Sequence, residues 1–180
     1  MGFQIEDGTG SGAAAAVDDE NRLKTSAVTR VFIAEASDLH GDSYTWSHAY
    51  DYDANDTILL VSNSSTTKEL FIHFISIGSD TATRWILHSP EYPTLAGTEI
   101  TGVNTNRVSG QIALAEAYGD ETGNTQANIL VQGFVPANSM ASLFPEGSII
   151  LGYHDCIAVD LVTAGTMATV TIAGYYHEAG

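Results

Sequence analysis

The feature that most constrains the fold of this chain is a series of short apolar runs that begins at residue 57. Each run is five to eight residues long and rich in Ile, Val, Thr, Tyr and Phe, and turn residues such as Gly, Ser, Asn and Pro lie between the runs. This spacing and composition are typical of β-strands. Residues 112–118 also repeat apolar side chains at helical spacing, so a short helix is the alternative there. The predicted strands cover residues 57–61, 70–77, 83–88, 99–103, 111–118, 128–134, 148–153, 157–162 and 169–176.

Short strands at this density predict an all-β domain over residues 43–180, built as a jelly-roll-like antiparallel β-sandwich. The last run has the alternation that such a strand needs, because Ala168, Val170 and Ile172 are separated by single Thr residues. The edges of a sandwich must be covered or charged, and the chain has only two lysines for that purpose. We therefore expect the domain to oligomerise.

Residues 1–42 are predicted to form an extended N-terminal arm. Residues 8–16 read Gly-Thr-Gly-Ser-Gly-Ala-Ala-Ala-Ala and residues 18–21 are all polar, so this stretch has no face to bury. Such a segment cannot compensate the entropy cost of its own ordering and needs a partner surface. The residues predicted to contact that partner are Phe3, Ile5, Arg22, Leu23, Lys24, Val28 and Arg30.

The charge of the chain excludes two classes of partner. Twenty-two acidic and six basic residues give a net charge of −16, and residues 108–180 contain no basic residue. Nucleic acid and anionic membranes are bound largely through Lys and Arg, so we expect neither as a partner. The sequence has neither a long apolar run nor the basic, apolar start of a signal peptide, and a cytosol is the expected place of synthesis.

The residues that could carry chemistry do not form a recognisable catalytic motif. Cys156 is the only cysteine, which excludes an internal disulfide, and the pairs His40/Asp42 and His154/Asp155 have no metal-ligand spacing around them. Residues 51–56 begin like a calcium loop, but an EF-hand would need Gly at 56 and Glu at 62, where the chain has Asp and Ser. A polar loop leading into a strand is preferred, with a loose calcium site as the alternative. We predict no enzyme activity and no cofactor.

One aromatic cluster stands out, formed by Tyr44, Trp46, Tyr50 and Tyr52 with Ser, His and Asp between them. Exposed aromatic side chains at this density mark contacts with sugars or proteins. The alternative is that these rings cover one end of the sandwich.

Five stretches of the chain carry a family resemblance. Residues 3–12 read Phe-Gln-Ile-Glu-Asp-Gly-Thr-Gly-Ser-Gly, and residues 17–29 read Val-Asp-Asp-Glu-Asn-Arg-Leu-Lys-Thr-Ser-Ala-Val-Thr. Near the end come Pro-Glu-Gly-Ser-Ile-Ile-Leu-Gly at 145–152, Ile-Ala-Val-Asp at 157–160 and Ala-Thr-Val-Thr-Ile-Ala-Gly-Tyr-Tyr at 168–176. The opening resembles the N-terminal segment of small virion structural proteins of tailed bacteriophages, and the end resembles the last strands of their β-sandwich domains.

The resemblance implies a capsid decoration, or cement, protein without enzymatic activity. Its partners would be the major capsid protein or other virion proteins, its place the outer surface of the head, and its assembly a homotrimer made in the host cytoplasm. Two alternatives stay open. One is a tail, collar or head-fibre component, and the other is a carbohydrate-binding β-sandwich that uses the aromatic cluster.

Overall fold

The computed structural model describes residues 16–17, 23–24, 41–91, 93, 95–122 and 124–178. The chain divides into two units, Met1–Val31 and Phe32–Gly180. In the first unit, strands β1 (Ala16–Val17) and β2 (Leu23–Lys24) form an antiparallel pair. The arm residues Phe3, Ile5, Arg22, Val28 and Arg30 lie outside the described residues, so the arm stays a prediction.

The second unit is all-β in its described residues, and its strands form two antiparallel sheets. One sheet has the order β10-β6-β13-β4-β9-β7, and the other has the order β11-β5-β14-β3-β8 with β12 also paired to β5. The strands are β3 (Ser43–Tyr52), β4 (Asp56–Asn63), β5 (Lys68–Ser79), β6 (Thr83–His88), β7 (Thr98–Glu99), β8 (Val103–Asn104), β9 (Ala115–Glu121), β10 (Ile129–Val135), β11 (Ser139–Leu143), β12 (Ile149–Leu151), β13 (Cys156–Leu161) and β14 (Gly165–Glu178).

The strand pairs are nested as in a long hairpin that has been rolled up. Strand β3 pairs with β14, β4 with β13, β5 with β11 and β12, and β6 with β10. Successive strands β3, β4, β5 and β6 alternate between the two sheets. Because this nesting and alternation define a jelly roll, the predicted jelly-roll-like sandwich is confirmed.

The core lies between the sheets and follows the two-residue period of the strands. In β13, Ile157 and Val159 point into the core opposite Val61 and Leu59 of β4. The opposite face of these strands is also buried, so β4 and β13 read as continuous apolar runs. Burial on both faces is the reason why their sequences indicate strands without any alternation.

The described residues between β6 and β10 form the tip of the rolled hairpin, and here three sequence predictions are wrong. The alternative helix over 112–118 is absent, because β9 starts at Ala115 and pairs with β4. The predicted strand 99–103 is a connection between the two-residue strands β7 and β8. The predicted strand 111–118 begins four residues late. Strands β3 and β11 were not predicted.

Candidate interaction surface

The two flanks of the sandwich are formed by the edge strands of both sheets. On one flank, β10 ends the first sheet, and β11 and β12 line the edge of the second. A connection of three residues, 136–138, joins β10 to β11, which brings the two edges to the same side of the molecule. On the other flank, the sheets end in β7 and β8.

The edge strands of the first flank are uncharged, although Glu146 lies in the loop between β11 and β12 and Asp155 lines the groove described below. Strands β10, β11 and β12 contain no Asp, Glu, Lys or Arg. Five of their large apolar side chains are exposed, from 46% for Leu130 to 68% for Met140, while the others pack toward the core. Edge strands in soluble proteins normally carry charges or prolines that prevent pairing with another chain. We call this surface the apolar edge, defined by Ile129, Leu130, Phe134, Met140, Phe144 and Ile150.

A groove runs along the apolar edge between the two sheets. Its volume is about 280 Å³, and both Leu130 of β10 and Ile150 of β12 line it. The groove continues inward to Ile149 and Ile157, which pack in the core. The apolar edge therefore offers exposed side chains and a recess on the same side of the molecule.

The second flank, which we call the closed flank, is built differently. Its edge strands β7 and β8 are two residues long each, and each pairs with only two residues of its neighbour, β9 or β3. The segment before β7 is anchored by Glu121, whose Oε1 accepts hydrogen bonds from the backbone N–H groups of Ala96 (2.8 Å) and Gly97 (2.9 Å). Gly102 lies directly on Trp46, so a Cβ at 102 would be 2.6 Å from the indole Nε1.

The structure places the predicted aromatic cluster mainly in the core. Residues 44, 46, 50 and 52 are all even-numbered positions of β3, an internal strand, and the inward face of a strand takes every second residue. Tyr44 and Trp46 are 0% exposed and Tyr52 is 4% exposed. The prediction of exposed contact aromatics is therefore wrong for these three residues, and the alternative of rings that cover the sandwich fits them. Tyr50 is partly buried and stacks on His48, with ring centroids 5.7 Å apart.

The calcium-like loop contributes to an acidic cleft of about 570 Å³, lined by the carboxylates Asp51, Asp53, Asp56 and Asp120. Burial raises the pKa of Asp56, and neighbouring carboxylates raise it further. Within the loop, the N–H of Asp53 donates to Asp56 Oδ2 at 3.0 Å, which closes a turn that leads into β4. Across the described ranges, no group of three or more His, Cys, Asp or Glu is arranged to hold a metal ion.

The other candidates for catalysis or metal binding that the structure describes are Cys156, which is buried, and His154 and Asp155, which lie in a turn. Cys156 is 2% exposed, and burial raises the pKa of its thiol to about 11, so the thiolate is disfavoured at neutral pH. His154 and Asp155 lie in the turn between β12 and β13, where Asp155 Oδ2 accepts the N–H of Gly152 at 3.0 Å. His40 lies outside the described residues.

A buried polar network was not predicted from the sequence. His88 Nε2 lies 3.0 Å from Asp160 Oδ1, and the same carboxylate accepts hydrogen bonds from Thr57 Oγ1 (2.6 Å) and Gln126 Nε2 (2.9 Å). His88, Asp160 and Thr57 are at most 1% exposed, so the network is closed to substrates and serves the packing of strands β4, β6 and β13. Only the strand register brings these residues together, and the sequence spacing carries no signal of it.

Comparison with protein-family models, curated proteins and solved structures finds no match to this chain. In the part of the chain that the structure describes, no helix has the length and apolar character needed to span a membrane.

Proposed function

We propose that this protein is a non-enzymatic structural protein of a tailed-bacteriophage virion. It is of the capsid decoration type, forms a homotrimer and binds the outer surface of the head shell. The observation that carries the proposal is the apolar edge, three edge strands without a single charged residue in a chain of net charge −16. Jelly-roll folds are common in viral capsid proteins, which supports the assignment by analogy of fold.

The apolar edge is suited to contact between copies of this chain. Two subunits of charge −16 repel each other, and an interface formed by uncharged strands keeps their acidic groups apart. Burying side chains such as Phe134 and Met140 removes apolar area from water and drives association. Pairing of free strand edges adds backbone hydrogen bonds that no longer have to be made to water.

Attachment to the shell is assigned to the N-terminal arm. Arg22, Lys24 and Arg30 supply three of the six basic residues of the chain, and they would pair with carboxylates of an acidic capsid protein. An exterior location follows from charge, because a subunit of charge −16 would be repelled by packaged DNA.

One feature of the described residues supports a role without catalysis, which is that the His88–Asp160 pair is fully buried. The sugar-binding alternative loses its original support, since most of the aromatic cluster is in the core.

Imaging of particles by electron cryo-microscopy tests the proposal. Head shells stripped of accessory proteins are incubated with the purified protein and with a variant that lacks residues 1–30. We expect ordered trimeric density on the outer shell with the full chain and bare shells with the variant, while both proteins keep the same β-rich circular dichroism. Density on the tail or collar, or binding to host cells, would instead identify a tail component.

A further inference from the structure

The edge of the second sheet is interrupted in a way that creates a small pocket. Strand β11 ends with Leu143 opposite Ile75, and β12 starts with Ile149 opposite Ile72. Residues 144–148 therefore face only residues 73–74 of β5, and the longer segment must loop outward. The loop turns at Glu146 and Gly147, whose φ angles of 50° and 83° are both left-handed. The N–H of Ser148 closes the turn by donating to Pro145 O at 2.9 Å.

The loop borders a pocket of about 330 Å³ on the outer face of the sheet, which we call the aromatic corner. Its floor is formed by Phe71 and Tyr175, whose rings are nearly parallel (16°) with centroids 5.5 Å apart. His177 forms a wall, with its ring at 66° to Phe71 and centroids 6.0 Å apart. Glu146 lies at the opposite rim, and Gly147 adds no side chain to fill the space. The volume is large enough to admit a trimethylammonium group with its nearest methylene groups.

The chemistry of the aromatic corner favours a cation with an apolar surface. Aromatic rings carry negative electrostatic potential on their faces, and aromatic rings beside a carboxylate favour positive charge. The residues that line the pocket include no Lys or Arg, so an anionic ligand would be repelled by Glu146 without a Lys or Arg to offset the repulsion. A bare metal ion prefers several oxygen ligands, whereas this pocket offers one carboxylate beside the Tyr175 hydroxyl and the His177 ring. An alkylated ammonium needs few hydrogen bonds and gains from both the rings and the charge.

We propose that the aromatic corner binds an organic cation with an alkylated ammonium head, of which choline is the simplest probe. This site is independent of the virion assignment, because it uses neither the arm nor the exposed side chains of the apolar edge. A negative result for the proposed function would therefore leave this site untested, and a negative result for the site would leave the proposed function untested.

The test is a titration of the isotope-labelled full-length protein with choline, followed by the backbone amide signals of Gly147 and His177. The matched probe is 3,3-dimethylbutan-1-ol, which has the shape of choline without its charge. We expect saturable shifts with a Kd in the range of about 1–10 mM for choline and at least about fivefold weaker binding of the neutral alcohol.

Variants locate the site and separate binding from folding. Glu146 is exposed, so Glu146→Gln should leave the melting temperature unchanged and weaken choline binding about five- to tenfold, without affecting the alcohol. Phe71→Leu should weaken binding of choline. Phe74→Leu is the control, because Phe74 contacts Phe144 (5.2 Å between centroids) and does not line the pocket, and its binding should be unchanged.

Several results would overturn the proposal. These are equal affinity for choline and the alcohol, wild-type binding by Glu146→Gln, or no saturable shift of Gly147 and His177 up to about 100 mM choline. Stronger binding of N-acetyl-arginine amide would assign the pocket to a guanidinium group. Stronger binding of methyl glucoside would assign it to a sugar. Either outcome rejects the alkylammonium assignment.

Discussion

The two flanks of the sandwich differ in the length of their edge strands and in the segments that surround them. The closed flank has very short edge strands and an insertion between β6 and β9 that contacts the core at Gly102 on Trp46, while its Val108 and Ile112 are exposed. The apolar edge has longer strands, no charge and side chains that are about half exposed. A single fold thus has one flank with two-residue edge strands and another with longer, uncharged edge strands.

Truncating one aromatic side chain on each flank should give the largest contrast. Trp46→Ala removes a fully buried ring under the closed flank, and we expect it to lower the free energy of unfolding by about 3–5 kcal/mol. Phe134→Ala removes a ring that is 63% exposed, and the expected loss is below about 1 kcal/mol. Urea denaturation of dilute protein, where the subunits are separated, measures both. Similar losses for the two variants would mean that the flanks are not different.

A pair of glycine substitutions tests how tightly the insertion closes its flank. In Gly102→Ala the new Cβ would lie 2.6 Å from both Trp46 Nε1 and Ala113 Cβ, and we expect a loss of about 1–3 kcal/mol. Gly110→Ala is the matched control, since a Cβ there meets no atom within 4 Å and should change stability by less than about 0.5 kcal/mol. Thermal melting of both variants in the same buffer is sufficient. An unchanged melting temperature for Gly102→Ala would show that the insertion can shift to make room for the new Cβ.

Much of this contrast between the flanks was within reach of sequence reasoning, and some was not. The sequence indicated β6, β13 and β14 because short continuous or alternating apolar runs bounded by turn residues are typical of strands. Strand β3 was missed although its aromatic residues alternate strictly with small or polar ones, which is the two-residue period of a strand. The signal was present, but the Ser, His and Asp residues between the rings suggested exposure.

Features that depend on register could not be predicted. The contact of His88 with Asp160 joins strands that are far apart in the chain, and the aromatic corner exists because residues 144–148 face two residues of β5. Neither local propensity nor hydrophobic spacing determines which residues of two distant strands lie opposite each other. The absence of charge along β10, β11 and β12 was readable in the sequence once those strands were known to be edges.

Ionic strength should distinguish the apolar edge from the basic arm. Salt screens the repulsion between subunits of charge −16, so self-association through the apolar edge should become about two- to fivefold tighter between about 0.05 and 0.5 M NaCl. The proposed binding of the arm to an acidic shell protein would use Arg22, Lys24 and Arg30 and should weaken over the same range. Sedimentation of the protein alone and with shells measures the two effects. If salt instead weakened self-association and tightened binding to shells, the roles of the two regions would be exchanged.

The most direct test of the account is the mass of the protein in solution, measured by light scattering after size exclusion at micromolar concentration. We predict three times the subunit mass of 19.1 kDa for the wild type and a single subunit for the double variant Leu130→Lys/Phe134→Lys on the apolar edge. The control Val103→Lys/Val108→Lys places two lysines at exposed apolar sites between β7 and β9 and should keep the wild-type mass. A monomeric wild type, or an edge variant with unchanged mass, would contradict the assignment of the apolar edge as the interface between copies.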